Sequence, residues 1–506
     1  MTIKRIILIF LTIVALVPVF FSLGASIDEP QIQARLQLYQ TNLILEASEF
    51  AVEKDGVNWN SFLVENNALE TAEKQYQDAL KASENSITNL TDRLSKLSAE
   101  KQSESINRRN AISKNKQELE IQISKLDSFV DELNLKLGLI KADNNEIEKA
   151  QKIWLDLNNS SDQKIVKTAN ILQKLWSKNE FIESTETEIK ENLDGWYRYT
   201  SLGKLYQLQD RKSDLATIKY QEIERANRAI LKLFLIGVIP FIGGVIGFSL
   251  LLFLLGEWAI KKDRSLLATS TAIPWETPWN VETIWQVLIV GFFLVGQIIL
   301  PFFFGFLGIN PANLSLAFKA LYVLLSYCTM AFCGLLVLYL SIKEFFPLPK
   351  IWFNFQLTVK GFLWGIGGYL VALPLVVVVS LINQQLWQGQ GGSNPILFLA
   401  LQSQDKLALA LFFITASIAA PVFEEIVFRG FLLPSITRYL PVWGAVIVSS
   451  LVFSFAHLSL SEVLPLTTLG IVLGFVYMRS QNLLSSILLH SLWNSGTLLS
   501  LFVLGS

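Results

Sequence analysis

Cysteine and histidine are the scarcest reactive residues in this sequence. Its 506 residues include two of each. The cysteines, Cys328 and Cys333, lie five positions apart in one apolar segment, a spacing that does not put them on one helical face. They cannot form a disulfide framework or a cysteine-based zinc site, and we expect them to be small buried hydrophobic residues. A net charge of −1 argues against general nucleic-acid binding.

Charged residues are distributed unevenly along the chain. Hydrophobic residues make up 51% of the sequence, yet charged residues still account for 17%. Of the 43 acidic residues, 34 lie between Asp28 and Arg228. This distribution predicts a polar region followed by a polytopic membrane domain, rather than a uniformly soluble protein.

The first 25 residues combine two basic side chains with an apolar segment. Lys4 and Arg5 precede an apolar run of about 18 residues, which is long enough to cross a bilayer. A cleaved signal peptide is the competing interpretation, because it also begins with basic residues and an apolar run. The length of the run favours an uncleaved transmembrane anchor over residues 1–25.

Residues 26–228 have the pattern of long helices. One apolar set recurs every three or four residues, and a second set steps alternately by four and three, as in an a/d heptad seam. The first set is Ile87, Leu90, Leu94 and Leu97, and the second is Leu119, Ile123, Leu126, Val130, Leu133, Leu137 and Ile140. We expect two antiparallel coiled-coil arms or one rod with a weak centre. A stalk or spacer is the simplest role, and a docking arm for a partner protein is the alternative.

From residue 229 onward, apolar segments alternate with short polar ones. Eight segments are long enough to be transmembrane spans. They cover residues 230–256, 283–308, 317–341, 361–386, 407–423, 441–458, 462–478 and 483–503. The expected fold is all-α: a polytopic transmembrane helical bundle of eight C-terminal spans plus the N-terminal anchor. Residues 229–360 would supply additional transmembrane helices ahead of a domain at residues 361–503.

Basic residues indicate how the chain is oriented in the membrane. Under the positive-inside rule, loops rich in Lys and Arg face the cytoplasm. These loops hold Lys261, Lys262, Arg264, Lys343, Lys350, Lys360, Arg429, Arg438 and Arg479, whereas the intervening short loops hold only Lys406. The N-terminus is then expected to be cytoplasmic, with the coiled-coil domain and the C-terminus extracytoplasmic.

An acidic pair, Glu424 and Glu425, interrupts the apolar C-terminal region. On a helix Glu425 and Arg429 are four residues apart and can form an ion pair on one face. Glu424 would point about 100° away from Glu425, because a helix turns once in 3.6 residues. Arginine can then neutralise one glutamate while the other faces a cavity. Pro421 and the small residues before it favour a local break in the helix.

Both histidines lie in apolar segments that follow this acidic pair. His457 ends one predicted span, and His490 shares a face of the last span with Asn494, four residues later. A single buried histidine is usually a hydrogen-bonded core residue. Ionisable side chains are costly at membrane depth, so several of them on three neighbouring spans indicate a functional site.

Three short motifs carry a family resemblance. They are EEIVFR (residues 424–429), FSFAH (453–457) and HSLWN (490–494). In sequence, order and spacing they resemble the motifs of the CAAX-protease and bacteriocin-processing family of intramembrane proteases. The resemblance covers residues 361–503, and it implies an endopeptidase that hydrolyses a peptide bond of a membrane-associated protein or peptide.

The resemblance also implies a role for each motif residue. Glu424 would be the general base that activates a water molecule, and His457 would hold that water. Glu425 and Arg429 would support the site. His490 and Asn494, from the last motif, would stabilise the oxyanion. A membrane scaffold or transporter-like protein that uses the same Glu/His set without proteolysis is the alternative function.

The sequence predicts no certain cofactor. Glu424, His457 and His490 form a two-histidine, one-carboxylate set that would suit zinc with an open position for water. The chain has no HExxH motif, and a glutamate can act as a base without a metal, so metal-independent chemistry is favoured. The expected partners are the substrate, the lipid bilayer and a possible coiled-coil protein.

The predicted spans create one conflict. They put Glu424 at the inner end of its span and His457 at the outer end of the next. Since the two side chains must meet to act on one water molecule, a span boundary must be wrong or a helix must be broken.

Overall fold

The computed structural model describes residues 2–27, 29, 31–49, 53–54, 57–58, 67–100, 106–177, 179–268, 275–309, 311, 314–402 and 405–505. The chain forms two compact units, one of residues 1–29 with 238–506 and one of residues 30–237. Both are helical, and the sheet found in the described ranges is one pair of two-residue strands. The predicted all-helical architecture is confirmed.

Within its described residues, the unit of residues 30–237 contains eight α-helices and the short strand pair. Helix α1 (Ile3–Ser26) belongs to the other unit. The elements described in this unit are α2 (Ile32–Ser48), β1 (Glu53–Lys54), β2 (Val57–Asn58), α3 (Ala68–Glu100), α4 (Ile106–Asp143), α5 (Ile147–Asp156), α6 (Gln163–Ser177), α7 (Thr185–Asn192), α8 (Gly195–Leu208) and α9 (Lys212–Leu233). The strands β1 and β2 pair antiparallel.

Helices α3 and α4 pack against each other as an antiparallel pair. Lys141 in the last turn of α4 donates to Glu73 near the start of α3, with 2.6 Å between Nζ and Oε1. Several residues of the two predicted apolar sets are buried. They are Leu90 of the first set and Leu119, Leu133, Leu137 and Ile140 of the heptad set. A coiled-coil geometry and an extracytoplasmic position of this unit stay predictions.

A tryptophan fixes how α5 meets α4. Trp154 is fully buried, and its indole nitrogen donates to the carbonyl oxygen of Leu135 at 3.3 Å. The ring lies over Gly138, where an added Cβ would be 2.2 Å from the indole nitrogen. Because only glycine leaves room for the ring, α5 can pack directly on the backbone of α4.

The other unit contains the apolar helices. They are α1, α10 (Ile239–Lys261), α11 (Val281–Phe306), α12 (Leu316–Phe345), α13 (Val359–Trp387), α14 (Pro395–Gln402), α15 (Lys406–Ile436), α16 (Val442–Phe455), α17 (Val463–Ser480) and α18 (Leu483–Gly505). Among the described residues, eight helical stretches are long and apolar enough to cross a membrane. One is the continuous stretch Lys212–Arg264, which contains α10. The other seven are α1, α11, α12, α13, α15, α17 and α18.

The expectation of eight C-terminal spans plus the anchor is therefore wrong by one. The segment predicted at 441–458 forms α16, which has only 14 residues. At 1.5 Å per residue it is about 21 Å long, shorter than the roughly 30 Å of a bilayer's apolar core. The expected burial of the two cysteines is also wrong, because Cys328 is exposed and Cys333 is only partly buried.

The predicted end of the span at residue 423 is also wrong, because α15 continues to Ile436. The helix is not broken at Pro421. It is widened into π-helical turns at Thr415–Ala419 and Ile426–Leu432, with an α-helical turn, Ala420–Glu425, between them. Charged residues did not end this helix because they are paired inside the bundle.

These two corrections remove the conflict between Glu424 and His457. Glu424 lies twelve residues before Ile436, about 18 Å along the helix, and His457 lies about 22 Å beyond Val442 at the same rise per residue. Residues 437–441 join the two helices. Measured along the chain from this connection, Glu424 and His457 lie at similar distances, because α15 continues to Ile436 and does not end at residue 423.

Helix α15 supplies much of the core of this unit. Phe423, Val427, Phe428, Phe431 and Leu432 are buried in one hydrophobic cluster with residues of α11, α12, α16, α17 and α18. The functional side chains of α15 are thus held by neighbours on several sides, which restricts their rotamers.

Candidate active site

Glu425 and Arg429 form a buried ion pair on α15. Arg429 Nη1 donates to Glu425 Oε1 at 2.8 Å, and the side chains are 1% and 0% exposed. Arg429 Nη2 also donates to the carbonyl oxygen of Gly470 on α17 at 3.2 Å. The pairing that the four-residue spacing predicted is therefore present. It connects α15 to α17 through one guanidinium group.

His490 on α18 bridges the two glutamates. Its Nδ1 is 2.9 Å from Glu425 Oε1, and its Nε2 is 3.9 Å from Glu424 Oε2. Glu425 is ion-paired with Arg429 and its carboxylate accepts, so Nδ1 carries the hydrogen in this bond. The Nε2 atom then faces Glu424 and can donate only when the imidazole is protonated.

Glu424 lies on another side of α15, as the helical repeat predicted. Its side chain is 12% exposed, compared with 0% for Glu425. Tyr327 on α12 donates to Glu424 Oε1 with 2.8 Å between the oxygens. The second oxygen, Oε2, is buried and accepts no hydrogen bond from the described residues. One carboxylate oxygen is thus held, and the other is open to a further donor.

His457 follows the last turn of α16 and is partly buried. Its Nδ1 is 2.9 Å from the carbonyl oxygen of Phe453. A carbonyl oxygen can only accept, so Nδ1 carries the hydrogen of this bond. In the neutral ring, Nε2 is left with a lone pair, the form required to accept a hydrogen bond from water.

Phe453 lies at the centre of the site. Its ring is 4.9 Å from the His457 ring and 5.7 Å from the His490 ring, measured between centroids and close to perpendicular in the second case. The Arg429 guanidinium carbon lies 4.6 Å from the same ring centroid. This buried ring brings residues of the three motifs together by packing.

Asn494 connects α18 to the widened part of α15. Its Nδ2 donates to the carbonyl oxygen of Ala416 at 2.7 Å. Ala416 lies in the π-helical turns Thr415–Ala419, where the backbone hydrogen-bond register changes and carbonyl groups become available to side chains. One amide hydrogen of Asn494 is used in this bond, and a second remains.

The arrangement does not fit a preformed zinc site. Across the described residues, which include all three proposed ligands, no group of three His, Cys, Asp or Glu side chains is placed to hold a metal ion. Glu424, His457 and His490 are therefore brought to one region without forming a ligand set. Metal-independent chemistry stays a prediction, with zinc as the alternative.

Two contributors were missed in the sequence. Tyr327 lies in the apolar segment assigned to additional helices, outside the domain predicted at residues 361–503. Phe453 begins the FSFAH motif, but nothing in the sequence indicates that its ring contacts both histidines. The phenol of Tyr327 was the available signal, because a buried tyrosine hydroxyl usually has a hydrogen-bond partner. Its partner could not be found without the packing of α12 on α15.

Comparison with known protein families identifies the C-terminal region. A model of the family described as Type II CAAX prenyl endopeptidase Rce1-like matches residues 406–496. This range contains the six candidate site residues Glu424, Glu425, Arg429, His457, His490 and Asn494.

Two curated bacterial proteins are similar to about a quarter of the chain. The putative membrane peptidase YdiL of Bacillus subtilis (strain 168) is 27% identical over 134 residues, covering 26% of this chain and 53% of the relative. The membrane-embedded CAAX protease MroQ of Staphylococcus aureus (strain USA300) is 29% identical over 137 residues, covering 26% and 54%. The chain thus spans about half the length of these curated relatives. No solved structure gives a significant match.

These similarities agree with the structure. Apolar helices of spanning length and relatives described as membrane peptidases support a multi-pass integral membrane protein. Residues 406–496 match the Rce1-like CAAX protease family model, which confirms the family resemblance of the C-terminal motifs.

Proposed function

We propose that the protein is an intramembrane endopeptidase that uses Glu424 as a general base on a water molecule. One observation carries this proposal: Tyr327 holds Glu424 Oε1, while Oε2 has no donor among the described residues and lies 3.9 Å from His490 Nε2. A carboxylate with one oxygen fixed and one free is suited to take a proton from a bound water.

The proposed reaction begins with the water. Glu424 Oε2 accepts a proton from it, and the oxygen attacks the carbonyl carbon of the scissile peptide bond. His457 holds the same water, which donates a hydrogen bond to its Nε2. The protonated Glu424 then gives the proton to the leaving amide nitrogen. The carbon–nitrogen bond breaks, releasing a carboxylic acid and an amine.

His490 and Asn494 are proposed to stabilise the oxyanion formed by this attack. Protonated His490 donates from Nε2, and Asn494 donates its second amide hydrogen. Donors fixed before the reaction are effective in a site of low dielectric constant, where each typically contributes about 3 kcal/mol to transition-state stabilisation. Glu425 fixes the orientation of the His490 ring, since it accepts the hydrogen on Nδ1.

Arg429 has a supporting role in this proposal. It compensates the negative charge of Glu425 and also bonds the backbone of Gly470. The proposed mechanism uses no metal, because Glu424, His457 and His490 are not grouped as ligands. Loss of activity on removal of protein-bound zinc would contradict a metal-free mechanism.

The proposed substrate is a membrane-associated protein or peptide. The N-terminus is proposed to be cytoplasmic, with the unit of residues 30–237 extracytoplasmic, as the positions of basic residues predict. That unit could bind a partner protein through its helices. In a variant without the two native cysteines, labelling of single cysteines at the exposed positions 2 and 148 with a membrane-impermeant reagent would test the orientation. Labelling of position 148 only from the cytoplasm would contradict it.

Glu424→Gln tests the chemistry. The amide oxygen of glutamine can still accept from Tyr327, but it cannot act as a base. We expect this variant to fold and to cleave the peptides that wild type cuts about 100- to 10,000-fold more slowly, the usual contribution of general base catalysis. Purified protein in liposomes would be given farnesylated and unmodified CaaX-ended peptides, with products identified by mass spectrometry.

Glu462→Gln is the matched control, because Glu462 is an acid in the same connection between α16 and α17 that contains His457. Its Oε1 accepts from the backbone nitrogen of Asn394 at 2.9 Å, a bond that glutamine can keep. Wild-type cleavage by Glu424→Gln would reject the proposal. If wild type cuts neither peptide, protein termini would be compared in membranes of cells expressing wild type or Glu424→Gln. Termini found only with wild type would identify substrates.

A further inference from the structure

The hydroxyl of Tyr327 makes a direct contact with the candidate base. It donates to Glu424 Oε1, with 2.8 Å between the two oxygens. Tyr327 lies on α12, well before the family-matched range of residues 406–496. A hydrogen bond from a hydroxyl to a carboxylate is stronger than one between two neutral groups. The contact therefore connects a helix outside the matched range to the reacting atoms.

The packing of α12 fixes the position of this hydroxyl. Gly334 lies seven residues after Tyr327, two turns along the same helix face. A Cβ at Gly334 would be 2.8 Å from the carbonyl oxygen of Gly291 and 3.0 Å from the Phe423 ring. Only a glycine allows α12 to approach α11 and α15 so closely at this point.

The ring of Tyr327 is held as well as its hydroxyl. It packs edge-to-face on Phe423, with 6.1 Å between ring centroids. Phe423 is itself 1% exposed and immediately precedes Glu424. Neighbouring residues on the inward face of α12, Met330 and Ala331, pack against the same hydrophobic core. The tyrosine is therefore placed by surrounding apolar contacts, and its hydroxyl has little freedom to leave Glu424.

We propose that Tyr327 is a positioning residue for Glu424. By holding Oε1, it selects the rotamer in which Oε2 faces His490 Nε2 at 3.9 Å. This inference rests on the proposed function for its catalytic consequence, but the positioning itself does not require a substrate. It also assigns a function to α12: the helix completes the site from outside the family-matched range.

Tyr327→Phe removes the hydroxyl and keeps the ring on Phe423. Tyr322→Phe is a matched control on α12, since Tyr322 is also partly buried but packs against Phe304, at 5.3 Å between centroids. Both variants are expected to unfold within a few degrees of wild type.

The first measurement needs no substrate. Dicyclohexylcarbodiimide is an apolar reagent that modifies carboxyl groups within membranes, and mass spectrometry locates the modified residue. Glu424 should react several-fold faster in Tyr327→Phe than in wild type, because Oε1 has lost its hydrogen bond. Tyr322→Phe should react as wild type does. Equal rates in Tyr327→Phe and wild type would overturn the positioning role.

The second measurement separates turnover from binding, using a peptide that wild type cleaves. Tyr327→Phe should lower kcat by about tenfold or more, the effect of one lost hydrogen bond to a charged group, while KM stays within a factor of two. An unchanged kcat, or an equal loss in Tyr322→Phe, would overturn the inference. Cleavage by Glu424→Gln would instead reject the proposed function, and the carbodiimide result would still decide the role of Tyr327.

Discussion

Glu425 and Arg429 are joined by a 2.8 Å hydrogen bond in which both side chains are almost completely excluded from solvent. Burying two charges is costly, and their attraction compensates only while both are present. The pair therefore makes the centre of α15 sensitive to the loss of either partner. It also orients His490, which uses the same Glu425 oxygen.

Arg429→Met should destabilise the protein strongly. It leaves Glu425 buried without its cation, a change that typically costs about 3–5 kcal/mol. The double variant Glu425→Leu/Arg429→Met should be less destabilised than Arg429→Met, because no unpaired charge remains. Thermal unfolding in nanodiscs would measure both. Lys262→Met, at an exposed lysine, is the control, and a double variant less stable than the single one would contradict this account.

Gly470→Ala should also destabilise the protein. The added Cβ would be 2.8 Å from Ser450 Cβ and 3.1 Å from its Cα, so α16 and α17 would have to separate. Overpacking of this kind usually costs about 1–3 kcal/mol. The movement would also displace the carbonyl oxygen that Arg429 binds.

The matched control for this change is Gly256→Ala. Gly256 lies within helix α10 and has open space where a Cβ would be added, so alanine should be neutral or stabilising there. Unfolding temperatures of the two variants give the comparison. Equal behaviour of Gly470→Ala and Gly256→Ala would argue against close packing of α16 on α17.

Asn494→Asp tests the connection between α18 and α15. It replaces the Nδ2 donor with an oxygen that faces the Ala416 carbonyl oxygen at 2.7 Å, so two acceptors meet. We expect a loss of about 1–3 kcal/mol in stability, the cost of leaving a buried polar group unsatisfied. The same change should lower kcat, because a donor to the oxyanion is lost. Wild-type stability of the variant would show that this bond contributes little.

Glu186 provides a pH-dependent test in the unit of residues 30–237. Hydrogen bonds from Lys190, Tyr206 and Arg211 lower the pKa of its carboxyl group to about 2. A depressed pKa adds stability above the unfolded value of 4.5, and that stability is lost as the pH falls toward 2.

Glu186→Gln should therefore unfold more easily than wild type at neutral pH. The difference should stay constant down to about pH 5 and shrink as the pH falls further, because the wild-type carboxylate then becomes protonated. Tryptophan fluorescence during denaturant unfolding would follow it. Glu183→Gln, at a neighbouring exposed acid, is the control. A difference independent of pH would contradict the assigned hydrogen bonds.

The motif positions could be recognised in the sequence because they depend on local spacing. Glu425 and Arg429 are one helical turn apart, and so are His490 and Asn494, so the shared faces follow from the helical repeat alone. The heptad seam of α4 likewise follows from apolar residues at intervals of four and three, and its members Leu133, Leu137 and Ile140 are buried.

Span boundaries could not be read in the same way. A segmentation by hydrophobicity ends α15 at Glu424, because the sequence does not show whether a charge is paired. The structure pairs Glu425 with Arg429 inside the bundle, and the helix continues to Ile436. Likewise, the apolar residues that follow α16 extend the predicted segment to 458, although the helix itself ends at Phe455.

The sequence by itself determined the helical class, the membrane region and the identity of six candidate site residues, because these depend on composition and on spacing along one helix. Only the tertiary structure decided which groups meet. The bond from Tyr327 to Glu424 and the bridge from His490 to both glutamates join residues between 65 and 97 positions apart. Such contacts are set by the packing of α12 and α18 around α15, which no local pattern specifies.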